Sequence, residues 1–280
     1  MGKCNKINET KLLKKILKLK NQKLEILLDK MSPIYDMISD LDKLQSKHNK
    51  KLYFNIKILD SSLIIFVEMQ EIIKENSLFI NKQLRSLTNS TYNYTKILNI
   101  IFINLIKHIL AYRKIYLFGL IPSANILLRV IIELTELITA MLYKPEIIQK
   151  YAEYSKKLLE EGDTKDTSRI WNNYIKPSKI REILKEFESK VLNNEVDIYS
   201  KRKNNYNFVS KAVHNEFVAS SSYEPEESIK ILLLYFNLFF LQINYLFQKQ
   251  YSIELDNEEK TGDYKLHLDV FYLLFSKFYF

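Results

Sequence analysis

Glycine and proline are too scarce in this chain to build a β-rich or an α/β fold. Only 4 Gly and 5 Pro occur among 280 residues, whereas sandwiches, barrels and doubly wound sheets need these residues at many turns. The length allows one large or two modest domains with a sizeable core. The sequence therefore predicts an all-α fold, organised as a multi-helix bundle.

The first 90 residues are predicted to form a separate arm. Apolar residues recur at helical spacing over residues 9–31 and again over 33–49, and a break lies between the two segments. This pattern predicts an N-terminal helical hairpin or coiled-coil arm. We accordingly divide the chain into an arm, residues 1–90, and a helical bundle, residues 91–280.

Helix-breaking and capping residues predict the helix boundaries in the rest of the chain, from residue 52 onward. Residues 52–59 alternate as a strand would, but no neighbouring segment can pair with them, so a helix is predicted there. Asp60 and Ser61 are predicted to cap a long helix that reaches about residue 87. An exposed loop is predicted over residues 162–167. Further helices are predicted over residues 91–118, 122–143, 146–161, 177–192, 197–219, 224–251 and 264–280.

The net charge and the cysteine content limit which binding partners and which cellular compartment fit this chain. The formal net charge of +9 favours polyanions as partners, but ordinary solvated surface lysines would give the same charge. The lysines are spread over most of the predicted helices, and the one local excess lies within residues 11–23. Cys4 is the only cysteine, so neither a disulfide framework nor a cysteine-based zinc site can form. With no signal peptide in evidence, a cytoplasmic location is predicted.

The segment Ser123–Tyr143 (SANILLRVIIELTELITAMLY) is apolar on almost every face, yet it carries Arg129 and Glu133. Their spacing of one helical turn allows the two side chains to meet. The pair could be a buried ion pair that fixes helix register. Alternatively, Arg129 could face a cleft and bind an anion through its guanidinium fork, with Glu133 orienting it.

A second polar group lies in the segment YNFVSKAVHNEF. Tyr206, Ser210 and His214 share one helical face, and Asn215 follows. A neutral imidazole near pH 7 can accept a proton from a hydroxyl, so His214 is a candidate general base. Alternatively, Ser210 allows close helix packing and His214 bonds to Glu133. A serine hydrolase is not indicated, because no nucleophile elbow or oxyanion hole is visible.

Other kinds of site have no support in the sequence. There is no glycine-rich phosphate loop, no His-x3-His pair and no dense Asp/Glu/His cluster, so neither a cofactor nor a metal is predicted. The remaining histidines, His48, His108 and His267, stand alone. His108 lies beside Leu105 and Ile109 on an apolar helix and is expected to be a structural residue.

The segments LLRVIIEL and YNFVSKAVHNEF resemble two helices of uncharacterised bacterial proteins that have an R-x3-E helix and a later S-x3-H helix. Those proteins are similar to the HEPN superfamily, many of whose members are metal-independent ribonucleases in abortive infection, toxin-antitoxin and other phage-defence systems. The resemblance covers about residues 91–251. In the HEPN pattern an arginine precedes the histidine on the same helix by about five or six positions. Here the nearest upstream arginine, Arg202, is twelve positions away, so Arg129 would have to replace it from the neighbouring helix.

The resemblance implies a mechanism for RNA cleavage. His214 would deprotonate a ribose 2′-hydroxyl, Arg129 would stabilise the charge on the phosphorane, and Glu133 would hold Arg129. Such sites often form across a dimer, so the helices over 228–251 and 264–280 are candidate dimer surfaces. Three further residues are assigned to substrate binding: Tyr206, Ser210 and Asn215.

Two hypotheses from other classes compete with the ribonuclease. A non-catalytic interaction module would bind a partner protein through the N-terminal helices and use the polar residues for packing. A membrane-acting effector would use the helix Ile231–Phe247. Three polar residues interrupt this apolar helix (Asn237, Gln242 and Asn244), so a buried core helix is predicted there instead.

Overall fold

A computed structural model describes residues 50–88, 93–118, 121–191, 225–255 and 263–279, together with Asn204, Tyr206 and Val209. These described residues contain helices and no strands, which confirms the predicted all-α class. The chain divides into two units, residues 1–53 and residues 54–280, and almost everything described belongs to the second. The predicted hairpin or coiled-coil arm over residues 9–49 lies outside the described residues. The proposed domain boundary at residue 90 stays a prediction.

The described helices are named here in chain order. They are α1 (Lys50–Glu75), α2 (Ser77–Thr88), α3 (Tyr94–Leu117), α4 (Ile121–Tyr143), α5 (Glu146–Glu161), α6 (Lys165–Ile170), α7 (Pro177–Val191), α8 (Pro225–Tyr245) and α9 (Tyr264–Tyr279). Helices α6 and α8 each continue into one π-helical turn, at Trp171–Ile175 and Leu246–Gln250. Most predicted boundaries agree with these to within a few residues, and residues 52–59 are helical as predicted.

Two of the local predictions were wrong. Asp60 and Ser61 do not cap a helix, because they lie buried within α1, which continues to Glu75. Residues 162–167 do not form an exposed loop throughout. Helix α6 begins within that segment, where Thr164 and Thr167 form a reciprocal capping box and Thr167 is fully buried.

Helix α4 lies at the centre of the bundle and positions the candidate site. It packs against α3, α5, α7 and α8. Every residue from Thr135 to Leu142 is buried, as expected for a helix that is apolar on all faces. Nearer its N-terminus the helix reaches the surface, where Ile126 is exposed. Arg129 and Glu133 lie between the exposed N-terminal part of α4 and its buried C-terminal half, and both are partly exposed.

Aromatic side chains join α1, α8 and α9. The Phe66 ring of α1 contacts Phe236, Phe239 and Phe240 of α8, with ring centres 4.8 to 5.3 Å apart. Phe240 also meets Phe271 of α9 edge-on at 5.0 Å. Two helical segments, Tyr94–Leu117 and Glu227–Gln250, are long and apolar enough by length and composition to cross a membrane. Core helices of soluble proteins also pass this test.

Candidate functional site

Arg129 and Glu133 form the ion pair that their spacing predicts. Arg129 Nε donates a hydrogen bond to Glu133 Oε1 over 3.0 Å. The two side chains are 26% and 29% exposed, so this is not the fully buried pair of the first interpretation. Within the described part of the chain, no carboxylate contacts the terminal nitrogens of Arg129. The guanidinium is therefore held along one edge, and it lies partly in solvent.

Tyr206 completes this arrangement. Its hydroxyl donates to Glu133 Oε1 over 2.7 Å, so the same oxygen accepts hydrogen bonds from both Tyr206 and Arg129. The guanidinium carbon of Arg129 lies 5.4 Å from the centre of the Tyr206 ring. Burial, together with the neighbouring Glu133 carboxylate, raises the pKa of Tyr206. The phenol therefore stays protonated near neutral pH and can keep donating to Glu133.

Three of the six predicted site residues are thus in one place: Arg129, Glu133 and Tyr206. The other three lie outside the described residues: Ser210, His214 and Asn215. The predicted convergence of His214 on the Arg129–Glu133 pair stays a prediction.

A second arginine that the sequence analysis did not assign lies against Tyr206. The guanidinium carbon of Arg181, on α7, is 3.3 Å from the centre of the Tyr206 ring. Arg181 Nε donates to Glu136 Oε2 over 2.9 Å, and the two side chains are only 10% and 2% exposed. Burial acts to lower the pKa of Arg181, but Glu136 and Tyr206 raise it above its usual value. Arg181 therefore stays charged inside the bundle.

We call these five residues the Tyr206 cluster: Arg129, Glu133, Glu136, Arg181 and Tyr206. It has an inner, buried ion pair from α7 and α4 and an outer, partly exposed ion pair on α4, and the Tyr206 ring lies close to the arginine of each pair. The charges of the two pairs balance. Chemically, the outer guanidinium can bind an oxyanion, while the inner pair holds the tyrosine in place.

A small cavity lies beside the cluster, between α4 and α8. Its volume is about 10 Å³, which is room for roughly one water molecule. Gln242, in its wall, donates to Glu188 Oε1 over 2.6 Å. This cavity is too small for an organic substrate, whereas the Arg129 side of the cluster is partly exposed. No group of three or more metal-ligating side chains occurs among the residues that the structure describes.

Two histidines lie in the described part of the chain, and neither joins the Tyr206 cluster. His108 Nδ1 lies 2.7 Å from the carbonyl oxygen of Asn104 on its own helix, in agreement with the predicted structural role. His267 is buried and is not isolated, because its Nδ1 lies 2.6 Å from Glu68 Oε1. This contact joins α9 to α1 across 199 positions of sequence, a separation that no local pattern can reveal.

Comparisons with protein-family models, with curated proteins and with solved structures find no match to this chain. The described residues establish an all-α helical bundle and no narrower class. A proposal for the function therefore depends on the residues themselves.

Proposed function

We propose that the chain is a HEPN-like bacterial defence effector that cleaves RNA without a metal, and that the Tyr206 cluster binds the phosphate. The observation that carries this proposal is the state of Arg129, which is partly exposed and is held along its Nε edge by Glu133. A guanidinium fork suits phosphate because it can donate two parallel hydrogen bonds. The terminal nitrogens of Arg129 can meet an incoming phosphate oxygen without breaking the contact to Glu133.

In the proposed reaction His214 accepts the proton of a ribose 2′-hydroxyl. The 2′-oxygen forms a bond to the adjacent phosphorus, the bond from phosphorus to the 5′-oxygen breaks, and the leaving oxygen takes a proton from water. The products are a 2′,3′-cyclic phosphate and a 5′-hydroxyl. Arg129 stabilises the charge of the phosphorane, and Glu133 orients Arg129. Three residues are proposed to lie against the substrate: Tyr206, Ser210 and Asn215.

The geometry adds a second role for Tyr206. Because its hydroxyl shares Glu133 Oε1 with Arg129, the tyrosine also positions the carboxylate that holds the arginine. The cellular setting is part of the same proposal: a cytoplasmic protein that forms a homo-oligomer or binds a partner protein through its N-terminal helices. The surfaces of α8 and α9 are the proposed dimer contacts.

Incubation of the purified chain with an RNA oligonucleotide in EDTA tests the proposal. We expect cleavage to products with cyclic phosphate ends and no cleavage of the matching all-deoxy oligonucleotide, which lacks the 2′-hydroxyl. Replacing His214 with Ala should lower the rate about 10² to 10⁴-fold, as for loss of a general base. Replacing Arg129 with Gln should lower it about 10² to 10³-fold, as for loss of a group that stabilises developing charge. Arg169→Gln, at another exposed arginine, is the matched control and should leave the rate unchanged.

The charge balance of the Tyr206 cluster favours the competing function, a non-catalytic module that binds a partner protein. Each arginine of the cluster already has a carboxylate partner, as in a purely structural network. If the wild-type chain leaves RNA intact in EDTA, the ribonuclease proposal fails and the interaction module is the function to keep.

A further inference from the structure

Residues 76–132, which include α2, α3 and the first half of α4, contain no acidic residue. They hold seven of the 42 Lys and Arg residues and none of the 33 Asp and Glu residues. The rest of the chain, with 35 basic and 33 acidic residues, is nearly neutral. This local excess of positive charge does not come from a high density of lysines. It arises because the segment contains no Asp or Glu.

The outer face of α3 combines positive charge with large apolar side chains. Exposed residues recur there every three or four positions, which places them on one face of the helix. Three of them are large and apolar: Ile100, Leu110 and Phe118 are 50%, 46% and 62% exposed. We call this face the α3 stripe, and it consists of Lys96, Ile100, Asn104, Lys107, Leu110, Lys114 and Phe118.

The same combination continues on the helices that pack against α3. Helix α2 contacts α3 and exposes two apolar and two basic side chains, Leu78, Phe79, Lys82 and Arg85. Helix α4 follows α3 closely and exposes Ile126 near their connection. The α3 stripe is therefore part of a wider basic and apolar surface.

Helix α3 is also less buried than its composition would lead one to expect. Its most apolar stretch is apolar enough to cross a membrane, but only 39% of that stretch is buried. The corresponding stretch of the Glu227–Gln250 segment is 61% buried, as expected for a core helix. An apolar helix that the described residues leave largely uncovered, and that carries lysines but no acidic residue, suits the surface of an anionic membrane.

We propose that the α3 stripe lies on an anionic lipid membrane. Acidic headgroups complement its lysines, and the boundary of the acyl chains accepts its apolar side chains. The lysine stems can lie along that boundary while their ammonium groups reach the headgroups. RNA complements the charge but not the apolar side chains, and a second copy of the same stripe would bring like charges together. This inference does not depend on the proposed ribonuclease function.

Flotation of the full chain with lipid vesicles tests this interface. We expect the chain to float with vesicles of phosphatidylcholine and phosphatidylglycerol and not with phosphatidylcholine alone, and high salt should release it. Each lysine near an anionic surface strengthens binding about fivefold, so Lys107→Glu/Lys114→Glu should weaken it by at least about 25-fold. The apolar variant Ile100→Gln/Leu110→Gln should also lose flotation.

Matched controls make the same changes at exposed positions outside residues 76–132. Lys165→Glu/Lys176→Glu repeats the charge change and Leu158→Gln/Leu159→Gln repeats the apolar one, and both should float like wild type. Failure of the wild type to float with anionic vesicles would overturn the proposal, as would normal flotation of the α3 variants. It would also be overturned if light scattering showed a wild-type dimer that the apolar variant dissociates, or if the charge variant lost RNA binding while no chain floated.

Discussion

One carboxylate oxygen of Glu133 accepts hydrogen bonds from both Arg129 and Tyr206. Substitutions of Tyr206 can therefore separate the contribution of its hydroxyl to stability from that of its ring. We expect Tyr206→Phe to lower the free energy of unfolding by about 1 kcal/mol, because it removes one partly exposed hydrogen bond to a carboxylate. Tyr206→Ala should cost at least about 1 kcal/mol more, because it also uncovers the Arg181 guanidinium that stacks on the ring. Urea unfolding midpoints of the two variants measure the difference. Equal losses would mean that the ring contributes nothing beyond its hydroxyl.

The two arginines of the Tyr206 cluster should contribute very differently to stability. Arg129→Gln should cost no more than about 1 kcal/mol, because exposed ion pairs contribute little. Arg181→Gln should cost about 3 to 5 kcal/mol, because it breaks the buried ion pair with Glu136 and leaves that carboxylate in the core. Urea unfolding of both variants, with Arg169→Gln as an exposed control, measures the order. A larger loss for Arg129 would contradict the burial of the two pairs.

For individual residues, the sequence predicts ion pairs between positions that are close along the chain, but it does not predict those between distant positions. Arg129 and Glu133 are four positions apart on one helix, so their pairing follows from helical geometry alone. Arg181 meets Glu136 across 45 positions, and only the packing of α7 on α4 brings them together. One signal was present in the sequence: arginine is rare in this lysine-rich chain, so each arginine deserved a search for a carboxylate partner.

Among the elements, α1 shows why a capping residue can mislead. Asp60 and Ser61 have the side chains of a helix start, but both are buried in mid-helix. Asp60 instead accepts two hydrogen bonds from Arg113 of α3, over 2.6 and 3.1 Å. A buried carboxylate that pairs with another helix and one that caps its own helix look alike in a single sequence.

The pair between α1 and α3 can be tested by a double-mutant cycle. Asp60→Leu alone and Arg113→Met alone should each cost about 3 to 5 kcal/mol, because each breaks a buried ion pair and leaves one of its two charges in the core. The double variant should recover most of that loss, because two apolar side chains can replace a buried ion pair at little cost. Chemical denaturation of the three variants measures the coupling. Additive losses in the double variant would show that the two residues act independently.

For the molecule as a whole, Phe66 links α1 to α8 through a cluster of aromatic rings. We expect Phe66→Ala to cost about 3 to 5 kcal/mol, because the fully buried ring contacts three phenylalanines of α8. Hydrogen exchange should then rise in α1 more than in α4. Phe79→Ala, at a ring that is 40% exposed, is the control and should change stability much less. Uniform exchange across the bundle after Phe66→Ala would contradict the role of this ring as a link.

The overall class followed from composition, whereas the arrangement of the helices did not. Few glycines and prolines and clear helical periodicity were enough to predict an all-α bundle and most helix boundaries. The central position of α4 could also be anticipated, because a helix that is apolar on every face must be covered. The contacts of α9 with α1 and of α7 with α4 depend on the order in which helices pack, and a single sequence carries no pattern that fixes that order.

The acid-free segment has a consequence for the rate at which the α3 stripe meets a partner. Two of the seven cations in residues 76–132, Arg113 and Arg129, pair with Asp60 and Glu133 from outside the segment. The exposed cations of the stripe itself are Lys96, Lys107 and Lys114, all on one helix. Charges of one sign that lie close together draw a negatively charged body toward them before contact, and dissolved salt shortens the range of that attraction. The association rate of this face with an anionic surface should therefore fall steeply as the ionic strength rises.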